Sequence, residues 1–61
     1  MNFRVSFLQD RQYFSVQMTN GVLELLFSTG SIAMENRIYH LSNLIKIVRL
    51  DDDENIQRNG I

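Results

Sequence analysis

The stretch Asn2-Phe3-Arg4-Val5-Ser6-Phe7 decides the fold class. Its apolar residues stand at every second position, which is the period of a β-strand with one face in a core and the other in solvent. The same alternation returns over residues 13–18. The polar residues 9–12 lie between the two runs and predict a hairpin loop. The chain is therefore expected to open with two antiparallel strands.

Three further segments downstream are predicted to be strands: residues 22–28, 38–41 and 44–50. Asn20-Gly21 precedes the first of them and is a strong signal for a tight hairpin turn. Residues 31–35 fit either a strand or a single helical turn capped by Ser31. The predicted fold is all-β, a small antiparallel meander of about five strands.

A barrel is the alternative to the open meander. Ser42-Asn43 briefly interrupts the pattern before an isoleucine-rich last strand. This arrangement is similar to the single turn that precedes the last strand of SH3-like barrels. The resemblance covers about ten residues and implies that the meander curls into a small barrel.

The predicted core consists of the apolar residues on one face of each strand. They are Phe3, Val5, Phe7, Phe14, Val16, Leu23, Leu25, Phe27, Ile45 and Ile47.

The strands predicted at 22–28 and 44–50 are apolar on both faces, unlike the first two. A small antiparallel sheet should show one apolar and one polar face, so the second apolar face needs another molecule to cover it. We expect the chain to form a homo-oligomer, a dimer above all. The predicted oligomer or partner interface comprises Val22, Leu26, Leu44, Val48 and Leu50.

Charge divides the chain into a body and a tail. Residues 1–50 carry a net charge of +2 and form a single domain, whereas residues 51–61 carry −3 and are expected to be a flexible acidic tail. Candidate partner-binding residues are the tail's acidic run and three side chains of the body, namely Asp51, Asp52, Asp53, Glu54, Tyr13, Tyr39 and Arg49.

The sequence offers no recognisable catalytic arrangement. His40 has no nucleophile or orienting residue at a suitable spacing, and we interpret it as a strand histidine. The run Asp51–Glu54 lacks the glycine and the distant glutamate of a calcium-binding loop. With no cysteine and one histidine, a zinc site is not expected. We therefore predict no enzyme activity, no metal and no cofactor.

The chain begins at Met1 without the basic start and apolar run of a signal peptide, and it contains no long apolar segment. It is expected to be a whole small gene product in a cytoplasm, without a membrane partner. Its size and composition resemble those of small phage or mobile-element products, including anti-CRISPR and other counter-defence inhibitors. The predicted function is a non-catalytic regulator or inhibitor that binds and occludes a host protein. The alternative is a small β-barrel that binds RNA or DNA.

Overall fold

The structure is a computed structural model that describes residues 1–50, so the predicted tail lies outside the described residues. Strands make up most of this part of the chain, and every strand pair is antiparallel. The elements in chain order are β1 (Asn2–Gln9), β2 (Gln12–Thr19), α1 (Asn20–Thr29), β3 (Ser31–Met34), β4 (Arg37–His40), a 3-10 turn (Leu41–Asn43) and β5 (Leu44–Arg49).

The strands form two sheets, one with the order β2-β1-β5 and one containing only β3 and β4. The β-rich antiparallel class is confirmed, and the open meander fits better than the barrel because the sheet is not closed. Both hairpins use two-residue loops, Asp10-Arg11 and Glu35-Asn36, and all four residues have positive φ. This conformation matches the right-handed twist of the paired strands. Residues 31–34 form a strand, so the strand is the correct one of the two alternatives given for residues 31–35.

The predicted strand at 22–28 is wrong, because α1 occupies these residues. Thr19 caps the helix: its Oγ1 accepts a hydrogen bond from the Val22 N–H at 3.3 Å. Asn20-Gly21 thus forms the first helical residues instead of a hairpin turn. Gly30 ends the helix with φ 91°, and its N–H donates to the Leu26 carbonyl at 2.8 Å. An N-cap threonine and a left-handed glycine are the usual signals that bound a helix.

The helix changes which residues enter the core. Leu23 and Leu26 lie three positions apart on one helix face and are buried, whereas Leu25 and Phe27 are about half exposed. The prediction that Leu25 and Phe27 are buried is wrong, and Leu26 belongs to the core instead of an interface. Both errors follow from applying a period of two to a segment with a period of 3.6.

The core lies between one face of the β2-β1-β5 sheet and a layer formed by α1 and the β3–β4 hairpin. Tyr39 of β4 is buried there, with its ring centroid 4.9 Å from that of Phe7 and 5.9 Å from that of Phe14. The predicted partner-binding role of Tyr39 is therefore wrong. The buried residues are Phe3, Val5, Phe7, Val16, Met18, Leu23, Leu26 and Tyr39. Phe14 is only half-buried and carries the Arg37 guanidinium over its ring at 4.1 Å.

The two glycines that flank the helix should respond to alanine in opposite directions. At Gly21 a new Cβ would meet no atom within 4 Å, so Gly21→Ala should stabilise the helix by about 0.5–1 kcal/mol through reduced backbone entropy. At Gly30 the left-handed backbone opposes any Cβ, so Gly30→Ala should destabilise by about 1–2 kcal/mol. Urea denaturation of both variants checks the pair, and equal shifts in the same direction would contradict the helix boundaries.

Candidate functional site: the free edge of β5

Among residues 1–50, strand β5 pairs with β1 alone and forms one edge of the three-stranded sheet. Its sequence, Leu44-Ile45-Lys46-Ile47-Val48-Arg49, is rich in the β-branched residues that favour strands. A bulge at Ile45 separates a regular stretch, in which Lys46 lies opposite Ser6 and Arg49 opposite Phe3, from the pair Leu44 and Phe7. The pairing register is therefore regular from Lys46 onward.

No residue of β5 is buried, although four of its six side chains are large and apolar. Ile47 lies opposite the buried Val5, on the core side of the sheet, yet it is 38% exposed. Val48 lies opposite Arg4 on the outer side and is 36% exposed. The predicted burial of Ile45 and Ile47 is wrong, because both side chains are exposed and β5 has no extensive contact with α1 or with the β3–β4 hairpin. Each face of the strand therefore exposes an apolar side chain, next to Arg49 on the core side and Lys46 on the outer side.

The backbone groups of β5 that point away from β1 can be assigned by alternation. The Leu50 N–H donates to the Asn2 carbonyl at 3.0 Å, and antiparallel ladders bond every second residue. Lys46 and Val48 therefore bond to β1, and the N–H and C=O of Ile47 point away from β1 along the free edge. The bond from Asn20 N–H to the Met1 carbonyl fits the same alternation, because it places the odd residues of β1 toward β2.

The other edge of the sheet, β2, provides an internal comparison. Its core face is covered, with Val16 and Met18 buried, and its outer face bears polar groups such as Ser15 and Gln17. This is the usual pattern for a strand with one face in solvent. Strand β5 departs from it because each of its faces exposes an apolar side chain. The free edge of β5 is therefore the feature of the described chain that most needs a partner.

The charges of the sheet have one sign. Strands β1, β2 and β5 contain Arg4, Lys46 and Arg49 and no aspartate or glutamate. Arg4 and Lys46 share the outer face at diagonal positions, because they lie opposite Val48 and Ser6 respectively. The outer face near β5 is thus mildly basic.

The structure separates the predicted site residues. Val48 and Leu50 lie on the outer face at or beside the free edge, and Arg49 is exposed on the core side, opposite Phe3. Val22 and Leu44 are partly buried and pack against the core. Tyr13 is 75% exposed at the start of β2. Asp51, Asp52, Asp53 and Glu54 lie outside the described residues.

Gln9 links the three-stranded sheet to the smaller one, a role that the sequence pattern did not indicate. It is 7% exposed. Its Oε1 accepts hydrogen bonds from the His40 N–H at 3.0 Å and the Asn43 Nδ2 at 3.1 Å, and its Nε2 donates to the Ile38 carbonyl at 3.2 Å.

An open groove of about 660 Å³ lies beside Gln9, between the two hairpin loops. Among residues 1–50, no three His, Asp or Glu side chains cluster in a way that could hold a metal ion.

Removing the Gln9 amide should weaken the contact between the two sheets. Gln9→Met keeps the approximate shape but leaves the His40 N–H and the Asn43 amide without their acceptor, so we expect a loss of about 1–3 kcal/mol. Gln12→Met, at an exposed position of the same hairpin, is the matched control and should change stability by less than about 0.5 kcal/mol. Equal melting temperatures for the two variants would contradict the linking role.

Comparison with known proteins yields no family model, no curated protein and no solved structure that matches the chain. The described part of the chain contains no helix that is long and apolar enough to cross a membrane.

Proposed function

We propose that this protein is a non-catalytic protein-binding domain that regulates another protein, and that the free edge of β5 is its binding surface. One observation carries the proposal: within the described residues 1–50, β5 pairs along one side only and has no buried residue, although it carries Ile45, Ile47 and Val48. An exposed, regular and apolar edge is a template for pairing with another polypeptide.

Strand addition explains how such an edge would bind. The outward N–H and C=O of Ile47 would bond the backbone of an added strand, which supplies affinity with little dependence on sequence. Ile47 on the core side and Val48 on the outer side would contact alternate side chains of that strand, which supplies specificity. Lys46 moderates uncontrolled pairing, since a charged side chain on an edge strand opposes aggregation.

The finer expectations stay predictions. They are that the chain acts as a small homo-oligomer and that the regulated protein is a host target occluded by a phage-encoded inhibitor. The free edge supports the first of these by offering a surface that a second polypeptide can extend.

Blocking one backbone N–H tests the proposal. Ile47→Pro removes a donor that points along the free edge and leaves the bonds to β1 in place, and proline is tolerated at such edge positions. Gln17→Pro makes the equivalent change on the free edge of β2 and is the matched control. Both tagged variants are used to capture proteins from an extract of the organism that encodes the chain. We expect the unmodified chain and Gln17→Pro to retain the same partner and Ile47→Pro to lose it. Retention by all three would overturn the proposal.

Nucleic-acid binding is the second candidate function, and the one-signed charge of the β2-β1-β5 sheet favours it. Arg4 and Lys46 lie on the same outer face, and Tyr13 offers an exposed ring to a base. Titration with random single-stranded oligonucleotides at rising salt tests it. Binding through phosphate contacts would weaken steeply as the salt concentration rises, and Lys46→Gln would abolish it. We expect to observe no such binding.

A further inference from the structure

We propose that the polypeptide bound at the free edge of β5 is an extended acidic segment, in which an aspartate or glutamate lies opposite Lys46 and the two residues before it are apolar. The inference rests on the proposed function, because it names the chemistry of the strand that this edge accepts. It follows from one juxtaposition. Ile47 and Val48 are exposed next to Lys46, on a sheet whose three strands contain no acidic residue.

The backbone of Ile47 is the anchor for the added strand. The ladder with β1 bonds every second residue, as the bond from the Leu50 N–H to the Asn2 carbonyl shows, so the N–H and C=O of Ile47 point outward. In an antiparallel pair both groups bond to one residue of the neighbouring strand. Every strand pair among residues 1–50 is antiparallel, and this orientation is the more stable one per residue. One partner residue therefore lies opposite Ile47, and the pairing needs no other backbone group of β5.

The partner residues opposite Ile47 and Val48 are expected to be apolar. Ile47 lies on the core side next to Val5, which has no exposed surface, yet Ile47 itself is 38% exposed. A side chain directly opposite Ile47 would lie at this open margin of the core, where removing apolar surface from water is favourable. The preceding partner residue would lie opposite Val48 on the outer face, where a β-branched side chain pairs well with the exposed valine.

Lys46 makes the next position of the partner selective for an acid. Its side chain is exposed on the outer face, and Arg4 lies diagonally across from it, because Arg4 is opposite Val48. Strands β1, β2 and β5 contain no aspartate or glutamate, so within residues 1–50 the sheet itself provides no counter-charge for these cations. A basic partner residue opposite Lys46 would be repelled, and an apolar one would cover the ammonium without pairing it. A carboxylate pairs with it.

A single-stranded nucleic acid would use the same two cations, but it would leave the other features of the edge unused. The outward N–H and C=O of Ile47 form the bonding pattern of a neighbouring strand, and the exposed Ile47 and Val48 side chains favour apolar contacts. The combination of backbone groups, apolar side chains and positive charge fits an acidic polypeptide segment better than a phosphate chain.

Two blocked, dye-labelled peptides that differ at one position test the inference. One contains the sequence Thr-Val-Ile-Glu-Thr and the other Thr-Val-Ile-Lys-Thr, each flanked by serines. Fluorescence anisotropy gives their dissociation constants for the unmodified chain. We expect the glutamate peptide to bind about three- to tenfold more tightly, with a preference that shrinks as salt is added. Lys46→Glu should reverse the preference. Arg11→Glu makes the same change of net charge in the first hairpin loop and should preserve it.

Equal affinities of the two peptides for the unmodified chain, or a preference that Lys46→Glu leaves unchanged, overturn the inference. Each variant must first give the dispersed amide spectrum of the folded chain, and Lys46→Gln provides a milder second reading because it should remove most of the preference. Peptide binding that survives Ile47→Pro, or no binding of either peptide at millimolar concentration, also overturns the inference. So does tight binding of a random single-stranded oligonucleotide that Lys46→Glu abolishes while neither peptide binds.

The outcomes separate this inference from the proposed function. If the peptides show no charge preference while Ile47→Pro still abolishes capture of a protein from the extract, the inference fails and the proposed function stands. If capture does not depend on the Ile47 N–H and neither peptide binds, both fail.

Discussion

Phe7→Ala is expected to leave no folded protein at room temperature. The Phe7 side chain is fully buried at the centre of β1, and it packs against Tyr39, which connects the two sheets. Truncating a buried phenylalanine costs about 3–5 kcal/mol, through lost burial and the cavity left behind. A core of this size seldom supplies more than about 3–5 kcal/mol of net stability. The loss caused by this one substitution should therefore equal or exceed the free energy of unfolding of the domain.

Phe27→Ala is the matched control for Phe7→Ala. Phe27 is 51% exposed on α1, so its loss should change the free energy of unfolding far less. Circular dichroism melts of both variants distinguish the two positions. A cooperative transition for Phe7→Ala close to that of the unmodified chain would contradict the description of the core.

Leu26→Asp is the second change expected to abolish folding. Leu26 has no exposed surface in α1, so an aspartate there would be an unpaired charge in the core. Leu25→Asp should be tolerated, because Leu25 is half exposed on the same helix. The expected cost for Leu25→Asp is about 0.5 kcal/mol, typical of a surface substitution.

The pair Leu25 and Leu26 also distinguishes helix from strand. In a strand over residues 22–28 with Leu23, Leu25 and Phe27 inward, Leu25→Asp would be the damaging change and Leu26→Asp the tolerated one. The helix reverses that order. Guanidinium denaturation or amide NMR spectra of the two variants give the answer directly, and a tolerated Leu26→Asp would show that α1 does not pack as described.

Much of the three-stranded sheet could be predicted from the sequence, because local alternation controls it. Phe3, Val5 and Phe7 are buried as expected, since one face of β1 repeats every second residue. The hairpin between β1 and β2 and the short break before β5 were also predicted. These features depend on residues close in sequence, so a single chain contains the signal for them.

The helix could not be predicted in the same way, because residues 22–27 are apolar both at every second position, as in a strand, and at positions three to four apart, as in a helix. Thr19 and Gly30 are the signals that could have found it, since they provide an N-cap and a left-handed C-terminus eleven residues apart along the chain. Asn20-Gly21 misled because the same pair tolerates both a hairpin turn and a first helical turn.

The candidate site differs from the predicted interface. The doubly apolar last strand predicted an interface that includes Val48, and Val48 is exposed, whereas Ile47 was predicted to lie in the core and is exposed as well. Which side of β5 is free depends on long-range pairing with β1, and the sequence carries no local signal for it. The link formed by Gln9 is equally non-local, because its partners lie about thirty positions away.

Hydrogen exchange at the Ile47 amide tests the central claim most directly. This N–H points along the free edge of β5, whereas the Val48 N–H bonds to β1 and serves as the protected reference within the same strand. If another polypeptide fills the edge, the Ile47 amide should become protected when the captured partner is added, while Val48 stays protected throughout. The Gln17 amide, on the free edge of β2, should exchange rapidly throughout. An Ile47 amide that still exchanges as fast as Gln17 in the presence of the captured partner would contradict the claim that β5 is a binding edge.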